Sequence, residues 1–326
     1  MQQATAIAHP NIALVKYWGK RDMRLNLPAV GSLSITLDAL CTRTQVRFDS
    51  ALSADRFILD GVDEDAGRVT ACLDLLRAAA RIDTRARVDS SNDFPTAAGL
   101  ASSASGFAAL VVAADAALGL GLTPHMLSRH ARRGSGSAAR SIFGGFVEMA
   151  RGRREDGADA VAQPLLDAGA WPLEVLIAVT EQAAKPLASS AAMAATSESA
   201  PYYAAWVRSS RPDLRAARKA VLARDFDALA DVSVHSCLKM HALMMSSRPP
   251  VLYWNAATVA CMRRISALRE AGLPVFYTID AGPQVKAICK SEAHDAVEHA
   301  LRSIAGVVEV RSSGLGGAAR VVEDGA

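Results

Sequence analysis

With 326 residues the chain exceeds the roughly 250–300 residues at which one hydrophobic core stops growing, so two lobes are expected. Hydrophobic residues make up 51%, charged residues 21%, and the net charge is +3, which excludes a disordered chain and gives no reason to expect nucleic acid as a partner. No apolar run approaches the ~20 residues of a membrane span, and the start "MQQATAIAHPNIALVKYWGKRD" lacks a basic leader followed by an apolar stretch, so a cytoplasmic protein without a membrane partner is expected.

Val, Ile, Thr and Phe at period two mark strands in "ATAIAHPNIALVKY", "SLSITLDALCTRTQVRFDS" and "RFILDGVDED", with Gly and Pro at the breaks. Helical spacing follows over "GRVTACLDLLRAAARI", then a strand over "RARVDSSNDF" and an alanine-rich helix over "ASSASGFAALVVAADAALGL". Thr123 and Pro124 start a short helix that Gly134 stops, and a strand is expected at "GGFVEMA". The charged patch "RGRREDGAD" reads as a solvated turn. The apolar strand "LEVLIAVT" restarts the pattern near Trp171 and Pro172, where the boundary between lobes 1–172 and 173–326 is placed. The second half reads as helices over 189–210, 212–245 and 255–272, then strand candidates over 274–289 and 307–313 separated by a helix over 291–304. Helices interleaved with antiparallel-looking strands imply an α+β lobe.

The five cysteines are odd in number and widely spaced, without a Cys-x-x-Cys pair, so buried free thiols are expected. His235, Cys237 and His241 fall on different faces of the expected helix, which argues against a metal trio.

Four stretches could carry chemistry. "PTAAGLASSASG" (95–106) exposes backbone amides at a helix N-terminus, where the macrodipole favours an anion. It lacks the Gly-Lys-Ser/Thr of a Walker A loop and the three spaced glycines of a dinucleotide fingerprint. It reads equally as a small-residue turn that lets a helix pack closely. "RRGSGSAARS" (132–141) offers hydroxyls and amides for phosphate oxygens and a guanidinium for a carboxylate, or else a flexible surface loop. "NIALVKYWGKRD" (11–22) delivers Lys16 and Lys20 around an aromatic pair into a turn, which suits a phosphorylated small molecule or a lysine-defended edge strand. In "FYTIDAGPQVKAI" (276–288), Asp280 ends an apolar strand, either presenting its carboxylate into a cleft or capping the Gly-Pro turn.

In this order, "NIALVKYWGKRD", "NDFPTAAGLASSASGFAAL", "RRGSGSAARSIFGGF" and "FYTIDAGP" resemble the GHMP kinase superfamily and, within it, the diphosphomevalonate decarboxylase family. The likeness continues through "DFDALADVSVHSCLKMHALMMSSRPPVLYWN" and so covers most of the chain. It implies a two-lobed α+β GHMP kinase fold, with a ribosomal-S5-like N-terminal lobe, a ferredoxin-like C-terminal lobe and the active site between them. It also implies a homodimer that uses ATP as co-substrate with Mg2+. The implied reaction converts mevalonate 5-diphosphate to isopentenyl diphosphate with release of ADP, phosphate and carbon dioxide.

Carried over position by position, the resemblance makes Asp280, Arg140, Lys16 and Ser103 catalytic. Asn11, Tyr17, Trp18, Gly19, Lys20 and Arg68 fall on substrate-binding positions, as do Ser135, Gly136, Ser137, Ala138, Ala139, Arg140 and Ser190. Pro95, Ala98, Gly99, Leu100, Ala101, Ser102 and Ser103 fall on the loop that holds the nucleotide phosphates, and no residue is carried over as a metal ligand. Ser190 stands where relatives often have threonine, and Ala139 where they often have cysteine. A phosphomevalonate decarboxylase, a mevalonate-type kinase and a non-catalytic ligand sensor on the same fold remain open alternatives.

Overall fold

A computed structural model describes residues 2–94, 102–181 and 187–323. Its first sheet runs in the order Arg320–Val322, Gln2–Ala8, Thr42–Phe48, Ala86–Asn92, Arg56–Leu59, Val62–Glu64. Burial along Thr42–Phe48 alternates strictly: Thr42, Thr44, Val46 and Phe48 point inward, while Arg43, Gln45 and Arg47 stay partly exposed. This is the period-two signature of a sheet with one covered face. The cover is helix Ser102–Leu118, whose Ala104, Ala108, Ala109 and Ala113 are fully buried. Small side chains let the helix approach closely enough for Ser105 Oγ to hydrogen-bond Thr42 Oγ1 at 2.6 Å.

A second sheet has the order Ala162–Leu166, Phe146–Met149, Ser32–Thr36, Asn11–Val15, and a third the order Val275–Ile279, Val285–Cys289, Glu174–Val179, Glu309–Ser313. All pairings in both are antiparallel. The third sheet is buried on both faces, which explains the near-continuous apolar run of its first strand in the chain. Leu176 and Ala178 pack with Cys261, Ile265, Val297 and Leu301 of helices Ala256–Glu270 and His294–Arg302. Val175, Ile177 and Val179 turn the other way and share a core with Ile12, Leu14, Leu33 and Ile35 of the second sheet. That shared core brings strand ends from the two halves of the chain together.

The elements depart from expectation in several places, among them the short strand pair Lys20–Asp22 and Leu27–Pro28 where a turn was expected. Residues 274–289 form two strands joined by the turn 280–284 rather than one. The helices expected over 189–210 and 212–245 break instead into Ser189–Ser199, Tyr203–Ala223 and Phe226–Met245. Pro212 sits inside the second of these, and the stop comes at Arg224, whose φ of 52° is left-handed, followed by Asp225, which accepts from Ala228 N at 3.1 Å to cap the next helix. Burial of Trp206 and Ser210 before the proline and of Ala217 and Val221 after it offsets the lost backbone bond. Strands Ala162–Leu166 and Arg320–Val322 were not expected, since the first contains Pro164 and both are sheet edges with little burial to pattern them.

Among the described residues no helix is long and apolar enough to cross a membrane. Cys72, Cys237, Cys261 and Cys289 are buried free thiols, whereas Cys41 is only half-buried.

Candidate active site

Two strand ends from different sheets meet at the centre of the site. Lys16 is the first residue past Asn11–Val15, and Asp280 the first past Val275–Ile279. Lys16 Nζ donates to Asp280 Oδ1 at 2.6 Å and to the Ala13 carbonyl at 2.9 Å. Thr278 Oγ1 donates to that same carbonyl at 3.1 Å, and Lys16 N donates to Ser236 Oγ at 3.0 Å, so both strand ends are tied in place. Burial alone would raise the Asp280 pKa, but the charges of Lys16 and Lys286, the Lys16 hydrogen bond and the charge of Arg140 outweigh it and hold the carboxyl below its usual range. Asp280 is therefore ionised throughout the neutral range.

Arg140 follows the single turn Gly136–Ala139 and is 2% exposed. Its Nε donates to Asn11 Oδ1 at 3.1 Å and Ser34 Oγ at 2.9 Å, and its Nη1 donates to Ser32 Oγ at 2.6 Å. Asn11 is itself oriented by Nδ2 bonds to the Ser137 carbonyl and to Ser141 Oγ. Burial pushes the Arg140 pKa down to about 10, partly offset by Asp280 and Tyr17, which leaves the guanidinium charged at neutral pH. Neutral oxygens hold its Nε and Nη1, and it has no ion-paired carboxylate among the described residues. A buried cation in that state is poised for an anionic ligand.

Both groups open onto a cavity of about 550 Å³. Lys16, Lys20, Arg24, Arg68, Arg133 and Arg140 line it, against one carboxylate among the described residues, that of Asp280. Among the described residues none of Lys20, Arg24, Arg68 and Arg133 is ion-paired either. Burial and the neighbouring charge of Arg68 lower the Lys20 pKa, as expected where cations crowd without counter-ions. Ser102 and Ser103 line the wall from the first turn of helix Ser102–Leu118, where the helix dipole favours an anion. Ser103 Oγ, Ser135 Oγ and Ser137 Oγ form a chain of hydroxyls at 3.4 and 3.3 Å, linking that helix to the turn that carries Arg140. Arg68, Ser102 and Ser103 also border a second cavity of about 220 Å³, walled by Phe57, Leu59, Val69, Val88, Phe107 and Leu110.

Residues 8–162 match the diphosphomevalonate decarboxylase-like N-terminal domain, and residues 175–316 the mevalonate 5-diphosphate decarboxylase C-terminal domain. A diphosphomevalonate decarboxylase of Ganoderma lucidum is 39% identical over 306 residues, covering 86% of this chain and 76% of the relative. The chain belongs to the diphosphomevalonate decarboxylase family. A structure of MDDEF in complex with MVAPP, AMPPCP and magnesium superposes with a TM-score of 0.91 at 37% identity, covering 99% of both chains. The mevalonate diphosphate decarboxylase of Staphylococcus aureus gives 0.92 at 35% identity, covering 99% of this chain and 98% of the other. The two-lobed α+β fold of the GHMP kinase superfamily is thus the fold of this family member.

Of the positions carried over from the family, Lys16, Arg140, Asp280 and Ser103 border the one cavity. Asn11, Tyr17, Trp18, Lys20, Arg68 and Ser102 join them there, as do Ser135, Gly136, Ser137 and Ser190. Lys20 Nζ reaches Ser190 Oγ at 3.4 Å, so the hydroxyl kept at that position closes the rim. Gly19, Ala138 and Ala139 do not border the cavity. The two alanines are fully buried in the core beneath the turn, and Gly19 supplies a φ of +89° at a point where a Cβ would stand 2.3 Å from the Tyr203 hydroxyl oxygen. Gly136 has a comparable role, since a Cβ there would lie 2.2 Å from the buried hydroxyl oxygen of Tyr17. Pro95, Ala98, Gly99, Leu100 and Ala101 lie outside the described residues.

Sequence reasoning missed Ser32, Ser34, Arg24, Arg133 and Lys286. A signal existed for the first pair: Ser32, Ser34 and Thr36 alternate with Leu33 and Ile35 on a fully buried strand, and such a polar row demands a partner. The expectation that His235, Cys237 and His241 fall on different faces needs correction. Cys237 and His241, four apart, share one face and reach the Ile279 peptide: Cys237 Sγ is 3.2 Å from Ile279 N and His241 Nε2 is 3.2 Å from Ile279 O. They support the backbone immediately before Asp280.

Proposed function

We propose that the chain catalyses the ATP-dependent decarboxylation of mevalonate 5-diphosphate to isopentenyl diphosphate, releasing ADP, phosphate and carbon dioxide. The observation that carries the reading is the convergence of Asp280, Lys16 and Arg140 on one cavity whose other cations, Lys20, Arg24, Arg68 and Arg133, have no ion-pair partner among the described residues. Membership of the diphosphomevalonate decarboxylase family supports it.

Lys20, Arg24, Arg68 and Arg133 fit two polyphosphate groups, the diphosphate of the substrate and the phosphates of ATP. The apolar side cavity behind Arg68 fits the nucleotide base. Ser102, Ser103 and the amides of their helix turn face the nucleotide phosphates. When bound with the nucleotide, magnesium neutralises phosphate oxygens around the group being transferred.

Asp280 accepts a hydrogen bond from the tertiary hydroxyl and aims its oxygen at the γ-phosphorus. A carboxylate held at low pKa is a weak base, so its work is alignment, with the proton arriving late in a loose transition state. Lys16 offsets charge on the moving phosphoryl. The hydroxyl oxygen bonds to the γ-phosphorus as the bond from that phosphorus to ADP breaks; the C3–O bond then breaks with its electrons leaving on phosphate, and the ionised Asp280 stabilises positive character at C3. Arg140, fixed by Ser32, Ser34 and Asn11, holds the substrate carboxylate in line. The bond between C1 and C2 breaks, its electron pair becomes the C2–C3 double bond, and carbon dioxide leaves.

The roles of these residues, the lobe boundary at 172/173 with strand Arg320–Val322 returning to pair with Gln2–Ala8 of the first sheet, the homodimer and the cytoplasmic location belong to the same proposal. A coupled assay tests its centre: with mevalonate 5-diphosphate and MgATP, carbon dioxide and phosphate are expected in step with ADP. ADP without carbon dioxide makes the protein a kinase, and neither product makes it a sensor. A preference for mevalonate 5-phosphate makes it the monophosphate enzyme.

A further inference from the structure

Lys286 has no role in the mechanism above. It is the second residue of strand Val285–Cys289, directly across from Thr278, and its side chain is 1% exposed. Opposed residues of an antiparallel pair point to the same face. On that face Thr278 reaches the Ala13 carbonyl, the one that also receives Lys16. The Lys286 ammonium ends beside the turn that carries Asp280, with Nζ 4.0 Å from Asp280 Oδ2 and donating to the Gln284 carbonyl at 3.3 Å.

An ammonium withdrawn from water is unfavourable unless a nearby anion offsets the loss of hydration. Asp280 is the anion at hand, and its two oxygens are divided: Lys16 holds Oδ1 at 2.6 Å, and Lys286 faces Oδ2. The lysines differ in one respect. Lys16 borders the cavity and meets whatever enters it, whereas Lys286 does not border it. An incoming phosphoryl group competes for the charge of Lys16 and leaves that of Lys286 committed to the carboxylate.

We propose that Lys286 is a positioning residue for the reaction: it holds Oδ2 of Asp280 from behind and keeps the carboxylate ionised and aimed into the cavity while Lys16 turns to the transferring phosphoryl. The proposal rests on Asp280 being the group that meets the substrate hydroxyl. Among the described residues the other titratable groups that face the pair are Lys16 after strand Asn11–Val15, Arg140 after the turn Gly136–Ala139, and Cys237 and His241 on helix Phe226–Met245. Burial pushes the Cys237 thiol up and the His241 imidazole down to about 3, so neither adds charge near neutral pH.

The test compares Lys286→Met, Lys286→Gln and Lys286→Arg with Asp280→Asn, following carbon dioxide and phosphate release between about pH 3 and 8, a range that takes in the carboxylate region. In both neutral Lys286 variants kcat is expected to fall about 10- to 100-fold with KM values within about threefold, and the acid limb of kcat/KM to move up by about one pH unit as Asp280 loses a cation. Lys286→Arg, which keeps the charge, is expected to return the limb to its wild-type position. A folded neutral variant with an unmoved acid limb overturns the proposal, whether or not kcat falls, because packing alone would leave the limb where it was. Failure of both neutral variants to fold assigns Lys286 a structural role and overturns it too. Activity retained in Asp280→Asn removes the underlying reading instead, and is told apart because Lys286 is intact in that variant.

Discussion

Lys16 Nζ and Asp280 Oδ1 lie 2.6 Å apart although 264 residues separate them in the chain. The contact joins two sheets, and it brings an ammonium and a carboxylate together at the wall of a cavity whose other charged residues, among those described, are all cations. Replacing Asp280 by Asn keeps the shape and one hydrogen-bond acceptor but removes the charge. Asp280→Asn is expected to lower kcat by a factor of about 10³ or more, with nucleotide affinity within about threefold. Single-turnover product formation and equilibrium nucleotide binding measure the two quantities; near-normal turnover would take Asp280 out of the mechanism.

Arg140 depends on its fork geometry as well as its charge, because Ser34 holds Nε and Ser32 holds Nη1, while Nη2 has no hydrogen-bond partner among the described residues. Arg140→Lys keeps a cation but loses bidentate recognition, and a fall in kcat/KM of about 10²-fold is expected. Ser34→Ala, which only loosens the grip, is expected to cost about tenfold. Steady-state kinetics on both variants, with a melting curve for each, check the ranking; equal activities would show that charge alone matters.

Gly19 carries a φ of +89° and sits where a Cβ would come 2.3 Å from the Tyr203 hydroxyl oxygen. Gly19→Ala therefore meets a clash and a backbone conformation unfavourable to side chains, and a destabilisation of about 1–3 kcal/mol is expected. Adding Tyr203→Ala removes the clash and leaves the backbone strain. The double variant should regain only part of the loss in denaturant titration, and complete recovery would show that strain contributes nothing.

His241 is buried against Trp254, with ring centroids 4.6 Å apart, and donates to the Ile279 carbonyl. Burial pushes its pKa down to about 3, against about 6.5 in an unfolded chain. Between those values the unfolded state binds a proton that the folded state refuses, so this group makes stability fall as pH drops from about 6.5 toward 3 and contributes no slope above that window. The slope from one proton is at most about 1.4 kcal/mol per pH unit. His241→Gln, which keeps a donor for Ile279, is expected to flatten the curve in that window only. An unchanged slope in urea titrations across it would contradict the shift.

Much of the site was legible because its signals are local. Lys16 and Asp280 each end an apolar strand, where a charged residue is conspicuous, and the glycine and serine turn before Arg140 announces itself by composition. The partners were harder to see. Nothing near Arg140 in the chain points to Ser32 and Ser34, more than a hundred residues earlier, and Lys286 reads as an ordinary strand lysine until its strand is known to be covered on both faces. The helix through Pro212 was misread for the same reason, since local propensity favours a start at proline while packing on both sides of it favours continuation.

Periodicity and turn chemistry were therefore enough to indicate an α+β second lobe and to mark four stretches that could carry charge into a cleft, and only the family resemblance chose among their readings. The first two depend on neighbours within a few positions. Which oxygen each cation holds, which carboxylate lacks a competitor and which cations lack a carboxylate depend on how the sheets pack. Burial of the core shared by the second and third sheets drives that packing, and it brings Asp280 between Lys16 in front and Lys286 behind.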